Sequence, residues 1–415
     1  MKRIFKRLVI TLFVFIVGYI LVQSEAQATS GFARKYGLSC NTCHSVSFPR
    51  LNFYGEKFMR NGFQLPDTQD GSTTGKKVIS DDLTLDDKLG DYVGVRGKIR
   101  IFENQENDSN GNPIASTVGS TIFGAFFASG TIAENMPFWM EFETNTGNGE
   151  TELHNYFVGW TNVNGTSMAN FRVGGFTPTE WTSFSDQKRA LDGPNSHPGA
   201  FRPSKFSKTG TNPYNLRTTT AIEYYGYRGP GFWAVGIADE MGGNYHASSS
   251  ANTYKDFYLV LRGEVPEGEA AGSSVSFLVY RANNGAPTDG TSDGEYTVFD
   301  ISGNLRMGPL DVFGAYVWDS DRVIGTGTSD NKGISVEGDF EIMPGCLGIL
   351  RYDTFDDGSV TSGDSRTTAV TPAFVYAPRQ NLKVTASYTI DISDDTAGDF
   401  GERNNIFDVE TQFMF

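Results

Sequence analysis

Two cysteines and a histidine stand together near the start of the chain, within the stretch SCNTCHSVSFPRLNFYGEKFMRNGF from Ser39 to Phe63. Cys40 and Cys43 are separated by two residues, and His44 follows directly. This C-x-x-C-H spacing is the attachment signature of c-type haem, in which both thiols add to the haem vinyl groups and the histidine binds the iron. It predicts one covalently attached haem c, with His44 as the proximal ligand.

A C-x-x-C pair also occurs in thiol redox sites and as half of a structural zinc site. The chain has three cysteines, so no second pair is present to complete a zinc site. No strand-helix-strand pattern of the thioredoxin type surrounds the motif. The third cysteine, Cys346 in the tight turn MPGC, has no partner and is expected to be inert. The haem interpretation is therefore favoured.

The sixth position on the iron is open at the level of sequence. The residues after the motif predict a short helix, and Met59 is the nearest methionine downstream. As a sixth ligand, Met59 would raise the reduction potential relative to two histidines, and the alternative is ordinary packing against the haem. Rival ligands would require the haem segment to fold up into the rest of the protein, where the other histidines are His154, His197 and His246.

The first residues predict a secretory leader. The chain begins with the basic stretch MKRIFKR, continues with the apolar run LVITLFVFIVGYILV, and has small residues at Ala26 to Ala28. A transmembrane anchor is the alternative, but fifteen apolar residues fall short of the roughly 20 that span a bilayer. We therefore expect a signal peptide over 1–28 and an exported mature chain beginning near Thr29. Export agrees with haem c, which is attached outside the cytoplasm.

Composition restricts the class of partner. The formal net charge is −15, and removal of the basic leader makes the mature chain more acidic. Such a charge argues against nucleic acid and favours cationic partners. Three cysteines in an exported protein do not support a disulfide framework.

From about residue 92 to the C-terminus, apolar and polar residues alternate with the period of two that is typical of strands with two different faces. In YVGVRGKIRIF the apolar face is formed by Val93, Val95, Ile99 and Ile101. The opposite face carries Arg96, Lys98 and Arg100. Charges repeated along one face do not fit a dry core, because burying an unpaired charge is very costly. The polar face is therefore expected to line a wet interior.

About 16 such runs follow one another, and the connections between them alternate between tight turns and longer polar loops, the longest at about 177–215. An even strand number with short turns on one side is typical of an outer-membrane β-barrel. A soluble β-sandwich or solenoid is the alternative. We expect a haem segment over 29–75, a linker over 76–91 and a 16-stranded barrel over 92–415. Both termini are expected on the periplasmic side, with the aromatic Phe415 last.

The haem motif and the residues after it resemble the outer-membrane cytochrome-porin fusions of iron-oxidising bacteria. The residues that carry the resemblance beyond the C-x-x-C-H motif are Pro49, Leu51, Asn52, Gly55, Phe58, Gly62 and Phe63. The likeness covers about 25 residues, and the barrel region matches only in size, strand number and order. The resemblance implies one haem c in or under a barrel, with Cys40 and Cys43 as attachment thiols and His44 as proximal ligand. Met59 does not carry over.

Charged side chains near the two ends of the barrel sequence have two interpretations. The basic face of the first strand, Arg96, Lys98 and Arg100, is expected to pair across the closing seam with Asp408 and Glu410. The alternative is that these cations bind haem propionates. The long loops are acidic, which suits hard cations such as Fe(II) or, alternatively, a solvated rim bridged to lipopolysaccharide.

The resemblance implies an electron conduit that takes electrons from extracellular Fe(II) or another small redox donor and passes them to a periplasmic cytochrome or other carrier. If the protein is an enzyme, it is then an Fe(II):cytochrome c oxidoreductase. One alternative exports electrons to an external acceptor. Another is a passive porin whose haem segment is a tether. Outer-membrane lipid is an expected partner, and nucleic acid is not.

Overall fold

The computed structural model describes residues 31–46, 48–65, 76–80, 83–86, 91–107, 113–146, 150–185, 187–191, 219–239, 255–283, 296–320, 322–324, 327–329, 331–356, 366–393 and 403–415. The predicted signal peptide, 1–28, lies outside these residues, as do His197 and His246.

The N-terminal part contains two helices and a small hairpin. Helix α1 spans Gly31–Tyr36 and helix α2 spans Phe53–Arg60. The hairpin strands are β1, Lys76–Ser80, and β2, Leu83–Asp86. The sequence predicts a linker over 76–91, and this hairpin is part of that stretch. Its strands contain the β-branched residues Val78, Ile79 and Thr84, which favour strand.

Sixteen antiparallel strands form one closed barrel, in which β3 pairs with both β4 and the last strand, β20. The strands are β3 Val93–Asn107, β4 Pro113–Ala133, β5 Met136–Asn145, β6 Glu150–Trp160, β7 Asn170–Phe176, β8 Thr219–Arg228, β9 Gly231–Asp239, β10 Asp256–Glu264, β11 Ser274–Ala282, β12 Tyr296–Met307, β13 Leu310–Ser320, β16 Lys332–Met343, β17 Cys346–Asp356, β18 Thr367–Arg379, β19 Leu382–Asp391 and β20 Arg403–Met414. A separate hairpin, β14 Arg322–Ile324 and β15 Gly327–Ser329, follows β13. Each of the sixteen predicted runs overlaps one barrel strand, so the predicted fold is confirmed.

The period-two pattern separates the two faces of the wall as expected. On β3 the side chains of Val95, Ile99 and Ile101 are 40 to 56% exposed on the outside. On β16 the inward-facing Glu337 and Asp339 are fully buried. Inward charges are shielded because other parts of the chain occupy the lumen.

The closing seam between β3 and β20 confirms one predicted ion pair and corrects another. Arg100 pairs with Asp408, as expected. Arg96 instead lies 3.1 Å from Glu141 and 3.0 Å from Glu143 on β5. The strand register explains the difference, because Arg96 lies opposite Met414, four residues after Glu410 along β20.

Next to the Arg100–Asp408 pair, Lys98 lies opposite Gln412, with its amine 5.1 Å from the centre of the Phe123 ring. The carboxylate of Glu410 accepts a hydrogen bond from Gln412. The predicted pairing of Lys98 with the seam carboxylates stays a prediction.

The connection after β7 turns into the lumen at its start, rather than lying wholly outside as a long surface loop. We call residues 177–191 the inward loop. It begins with a short 3-10 turn, Pro178–Trp181. Farther on, the Ser183 backbone N–H donates to Ser276 Oγ on β11 at 2.7 Å, and Arg189 lies 3.5 Å from Glu337 on β16. The inward loop thus crosses from the β7 wall to the opposite wall.

Aromatic side chains fix the inward loop against the wall where it leaves β7. Trp181 and Phe184 are buried in one apolar cluster with Tyr225 and Tyr258. Trp181 also donates from its indole N–H to Glu223 at 3.0 Å, which satisfies its polar atom. Apolar packing therefore accompanies the polar contacts of this loop. None of the described helices is long and apolar enough to cross a membrane.

Candidate haem site in the barrel lumen

The N-terminal segment lies inside the barrel, at the end where the short turns are. We call residues 31–65 the plug. Its backbone N–H at Cys40 donates to Gln380, beside the β18–β19 turn, at 3.0 Å. The carbonyl of Arg60 accepts from the Tyr225 hydroxyl on β8 at 3.1 Å. The sequence predicted the segment but left its place relative to the lumen open.

Stacked aromatic rings fix one side of the plug. The ring centre of Phe63 lies 4.9 Å from that of Phe32 in α1, 5.5 Å from Trp139 on β5 and 6.1 Å from Phe157 on β6. Phe58 in α2 packs edge-on against Phe32 at 5.3 Å. Large rings at these separations add specific attraction to the buried apolar area. They anchor both plug helices to the wall.

The C-x-x-C-H motif forms a tight turn. Cys40–Thr42 is a 3-10 turn in which the N–H groups of Cys43 and His44 both donate to the Cys40 carbonyl, at 3.1 and 2.9 Å. Both thiols are free and half-buried. Because the turn brings residues three and four apart onto one side, the two thiols and the imidazole belong to one compact group.

Helix α2 packs closely on this turn. A Cβ atom added to Gly55 would lie 2.2 Å from the Cys43 carbonyl oxygen, closer than any side chain tolerates. His44 forms an isolated antiparallel bridge with Leu51, immediately before the helix. The absence of a side chain at Gly55 is therefore what lets the helix lie against the motif.

The imidazole of His44 is suited to iron. Burial lowers the pKa of His44 to about 4, although the carbonyls of Arg50 and Pro49 lie beside the ring and favour the protonated form. Its Nδ1 is buried without a hydrogen bond of ordinary geometry in the described part of the chain. A neutral imidazole is the form that binds metals.

The two thiols also fit covalent attachment. Burial raises the pKa of Cys40, and burial with the nearby Cys40 raises the pKa of Cys43 to about 11. Both groups therefore stay protonated at neutral pH, and neither is oxidised to a disulfide. The donor set of two free thiols and one neutral imidazole fits haem c.

Met59 is placed in α2 and lines a small cavity in the lumen. The cavity has a volume of about 10 Å³, which is room for about one water molecule. Its lining includes Phe63, Phe157, Trp181 and Tyr225 but not Cys40, Cys43 or His44. The lining also contains Arg172 and Glu180, and Met59 itself packs against the buried apolar cluster that includes Trp181. Its role as sixth ligand stays a prediction.

Other sequence-predicted residues lie apart from the motif. His154 on β6 has its Nδ1 3.5 Å from Glu143. Cys346 is buried at the start of β17, and its thiol is free. Of the acidic loop residues, Asp319 accepts from Asn331, and Asp356 lies 3.5 Å from Lys332. Within the described ranges, no group of three His, Cys, Asp or Glu side chains is arranged to hold a metal ion.

A charged cluster that sequence reasoning missed fastens the plug. Glu56 in α2 is fully buried, and its carboxylate contacts Arg262 at 2.5 Å, Arg306 at 3.1 Å and Lys188 at 3.3 Å. These cations come from β10, β12 and the inward loop. The sequence around Glu56 gave no signal of such partners, since they lie more than a hundred residues away.

Two further basic residues of the plug form ion pairs with the wall. Arg60 lies 3.0 Å from Glu264 on β10. Arg50 pairs with Asp311 on β13, and its Nε is 3.5 Å from Asp339 on β16. Buried charges are tolerated only when paired, so these contacts specify one docked position of the plug.

Comparison with known proteins supports the fold and shows nothing beyond it. No protein-family model matches the chain, and no curated protein matches it. Solved structures do match: a loop L8 deletion mutant of OmpT from Vibrio cholerae is 16% identical with a TM-score of 0.53, over 78% of this chain and 99% of that one.

Two other barrels give the same result. An anion-selective porin from Comamonas acidovorans is 13% identical with a TM-score of 0.56, covering 78% of this chain and 98% of its own. OprB from Pseudomonas putida is 9% identical with a TM-score of 0.57, covering 78% and 94%. At these identities the likeness shows an outer-membrane porin fold.

Proposed function

We propose that this protein is an outer-membrane electron conduit. One haem c is attached at Cys40 and Cys43 with His44 as the proximal ligand, and electrons pass from extracellular Fe(II) to a periplasmic carrier. The observation that carries the proposal is the position of the C-x-x-C-H turn, which lies at the short-turn mouth of a porin-fold barrel as part of a segment docked in the lumen. When bound, haem c supplies one-electron transfer at its iron.

The wall of the barrel supports a membrane location. The outer face presents apolar side chains on every side of the closed sheet, among them Ile99, Ile222, Val275, Phe340 and Leu350. Closure leaves no strand edge unpaired, which a lipid environment requires. Outer-membrane lipid is therefore the expected surrounding, with the short-turn end and both termini in the periplasm.

The contents of the lumen favour a conduit over a passive porin. The plug and the inward loop meet there, where the Leu51 N–H donates to the Gln187 carbonyl at 2.7 Å. The inward charges around them, such as Glu56 and Arg351, are 0 to 1% exposed. A tether on a passive pore has no need of such buried pairing. Ions are therefore expected to pass poorly through the resting barrel.

The plug lies near one end of an apolar band about 25 Å tall. A donor from the long-loop side must then enter the lumen to approach the motif. Carboxylates such as Asp300 and Asp353 lie on the inward wall in the half towards the long loops. Asp353 is paired with Arg351 at 2.7 Å, so the attraction for a cation is assigned to the acidic long loops. Fe(II) is proposed as a transient donor and not as a resident metal.

The first test asks whether haem is attached. The mature chain is purified from outer membranes, denatured, and assayed for haem and for intact mass. The wild type and Cys346→Ala are expected to carry one haem each, while Cys40→Ala and Cys43→Ala together abolish it. Wild-type chain without haem would refute the proposal.

The second test asks which way electrons travel. The protein is placed in sealed vesicles with the long loops outward, and Fe(II) is added outside only. Prompt reduction of the haem is expected. If dithionite reduces the haem and Fe(II) does not, Fe(II) is rejected as donor and the export alternative gains. High ionic conductance of the haem-loaded barrel would instead favour the passive porin.

A further inference from the structure

Asn52 connects the haem attachment turn to the helix that follows it. Its backbone N–H donates to the Cys43 carbonyl at 2.9 Å. Its side-chain Nδ2 donates to the carbonyls of Thr42 at 3.0 Å and Asn41 at 3.2 Å. Its Oδ1 accepts from the Gly55 N–H at 2.9 Å and so caps α2. Three consecutive carbonyls of the attachment turn are therefore held by one residue.

The bonds match a specific need of the turn. The last carbonyls of a short helical turn have no donors within the turn, so they need partners elsewhere. An asparagine side chain offers two N–H donors and one acceptor at short reach. At position 52 it uses the donors for the end of the Cys40–Thr42 turn and the acceptor for the start of α2.

The position of His44 depends on the same residue. The Ser45 N–H donates to the Arg50 carbonyl at 2.9 Å, and His44 bridges to Leu51. These contacts form a short antiparallel pairing that ends at Asn52. A shift of Asn52 relative to Cys43 would therefore move the imidazole together with the second thiol.

We propose that Asn52 is a positioning residue for haem attachment. It holds the Cys40–Cys43 turn in the conformation that presents both thiols and His44 to a single porphyrin. The inference rests on the proposed function, because it assumes that haem is the group attached. It adds a residue that touches the motif through backbone carbonyls and need not touch the haem.

Attachment makes two bonds to one rigid ring. At each cysteine, a bond forms between the sulfur and one vinyl carbon while the S–H bond breaks, and the hydrogen ends on the neighbouring vinyl carbon. No electrons are gained or lost overall, so the step requires no oxidant or reductant. The two sulfurs must each reach a different vinyl group of the same porphyrin. A preformed turn reduces the conformational entropy that this double attachment costs.

Three variants separate positioning from helix capping. Asn52→Asp keeps an acceptor for the Gly55 N–H, since aspartate caps helices as well as asparagine does. It replaces the two donors by a carboxylate that faces carbonyl oxygens. Asn52→Ala removes both functions. The matched control is Asn61→Asp, because Asn61 also donates twice within the plug, to the Gln64 and Leu65 carbonyls at 3.2 and 3.4 Å.

The first readout is the ratio of covalently bound haem to protein, measured only on barrel that shows heat-modifiable migration. Loss of two amide hydrogen bonds is expected to lower this ratio about tenfold in both Asn52 variants. Asn61→Asp is expected to stay within about twofold of the wild type. Wild-type occupancy in Asn52→Asp would overturn the proposal and leave Asn52 as a helix cap.

The second readout uses the full mature chain refolded in detergent without haem. The rates at which an alkylating reagent modifies Cys40 and Cys43 are expected to rise in Asn52→Asp and not in Asn61→Asp. Equal rates in Asn52→Asp and the wild type would refute the positioning role. If the wild type from cells carries no haem, the proposed function fails, while the alkylation rates still report whether Asn52 holds the turn.

Discussion

The carboxylate of Glu56 in the plug lies 2.5 Å from the guanidinium of Arg262 in the barrel wall. The two residues are 206 positions apart in the chain, and each side chain is 2% exposed. Removing one partner of a buried pair leaves the other charge uncompensated in a medium of low polarity. This contact therefore acts as a lock that holds the haem motif at one place in the lumen.

Neutralising Glu56 is expected to release the plug. In Glu56→Gln, the cations Arg262, Arg306 and Lys188 lose their shared carboxylate, which costs about 3–5 kcal/mol of docking free energy. Conductance in planar bilayers is expected to rise, and protease is expected to cleave within residues 31–65. The control is Glu267→Gln, which changes an exposed glutamate in a short turn. An unchanged closed barrel in Glu56→Gln would contradict the lock.

Acid is expected to release the plug in the same way. Burial alone would raise the pKa of Glu56, but Arg262, Lys188, Arg306 and Arg60 more than offset it and hold the pKa well below its ordinary value. A carboxyl whose folded pKa is lowered stabilises docking above its unfolded pKa, about 4.3, and loses that contribution as the pH falls towards the folded pKa. Conductance is therefore expected to increase below about pH 4 in the wild type. Glu56→Gln is the control, since its conductance should lack this acid-induced step.

The barrel could be predicted because its signal is local and repeated. In β16, Ile334 and Val336 alternate with polar residues such as Glu337 and Asp339, and this alternation indicates which face is inward. Similar alternation recurs along the barrel sequence. The tight turns indicated which consecutive strands pair and that the number of strands is even. The C-x-x-C-H motif is likewise contained in five consecutive residues, so the haem prediction needs no knowledge of the fold, and it stays a prediction.

The docking of the plug could not be predicted in this way. Nothing in the sequence indicates that Glu56 and Arg262 form a pair. The inward course of the loop after Phe176 likewise depends on partners such as Ser276 that are about a hundred residues distant. Arg96 shows the same limit at the seam. The sequence indicated that Arg96 faces inward and needs a carboxylate partner. Its partners on β5 are set by the strand register, which the sequence did not give.

Gly55→Ala tests the close approach of α2 to the haem motif. In an ordinary helix this change stabilises by about 1 kcal/mol, because alanine favours helix more than glycine does. Here the added Cβ would lie 2.2 Å from the Cys43 carbonyl oxygen, so the helix must move off the turn. The ratio of covalent haem to protein is expected to fall several-fold, about as for a lost buried contact.

A matched glycine controls for general effects on the barrel. A Cβ added to Gly263 in β10 has nothing within 4 Å. Gly263→Ala is therefore expected to bind haem as the wild type does. Equal haem content in Gly55→Ala and Gly263→Ala would show that the close packing at Cys43 is not needed for attachment.

Arg172 is expected to hold the base of the inward loop. From β7 it donates to Glu223 on β8 at 2.6 Å and to Glu180 of the inward loop at 2.5 Å. Arg172→Met leaves the buried Glu223 without its cation, at a cost of about 3 kcal/mol or more. Tryptophan emission, taken as the difference from a Trp181→Phe background, is expected to shift to longer wavelength as Trp181 becomes hydrated. The exposed Arg228→Met serves as control, and identical emission in both variants would exclude the role.

Met59→Leu decides between the two interpretations of Met59. Met59 packs against the apolar cluster that includes Trp181, and leucine fills a similar volume at a cost below about 1.5 kcal/mol. We therefore expect haem content, the haem absorption spectrum and the midpoint potential of Met59→Leu to match the wild type. Thioether ligation raises a haem potential, so loss of a methionine ligand would lower it. A clearly lower potential in Met59→Leu, with haem still attached, would identify Met59 as the sixth ligand and contradict the packing role.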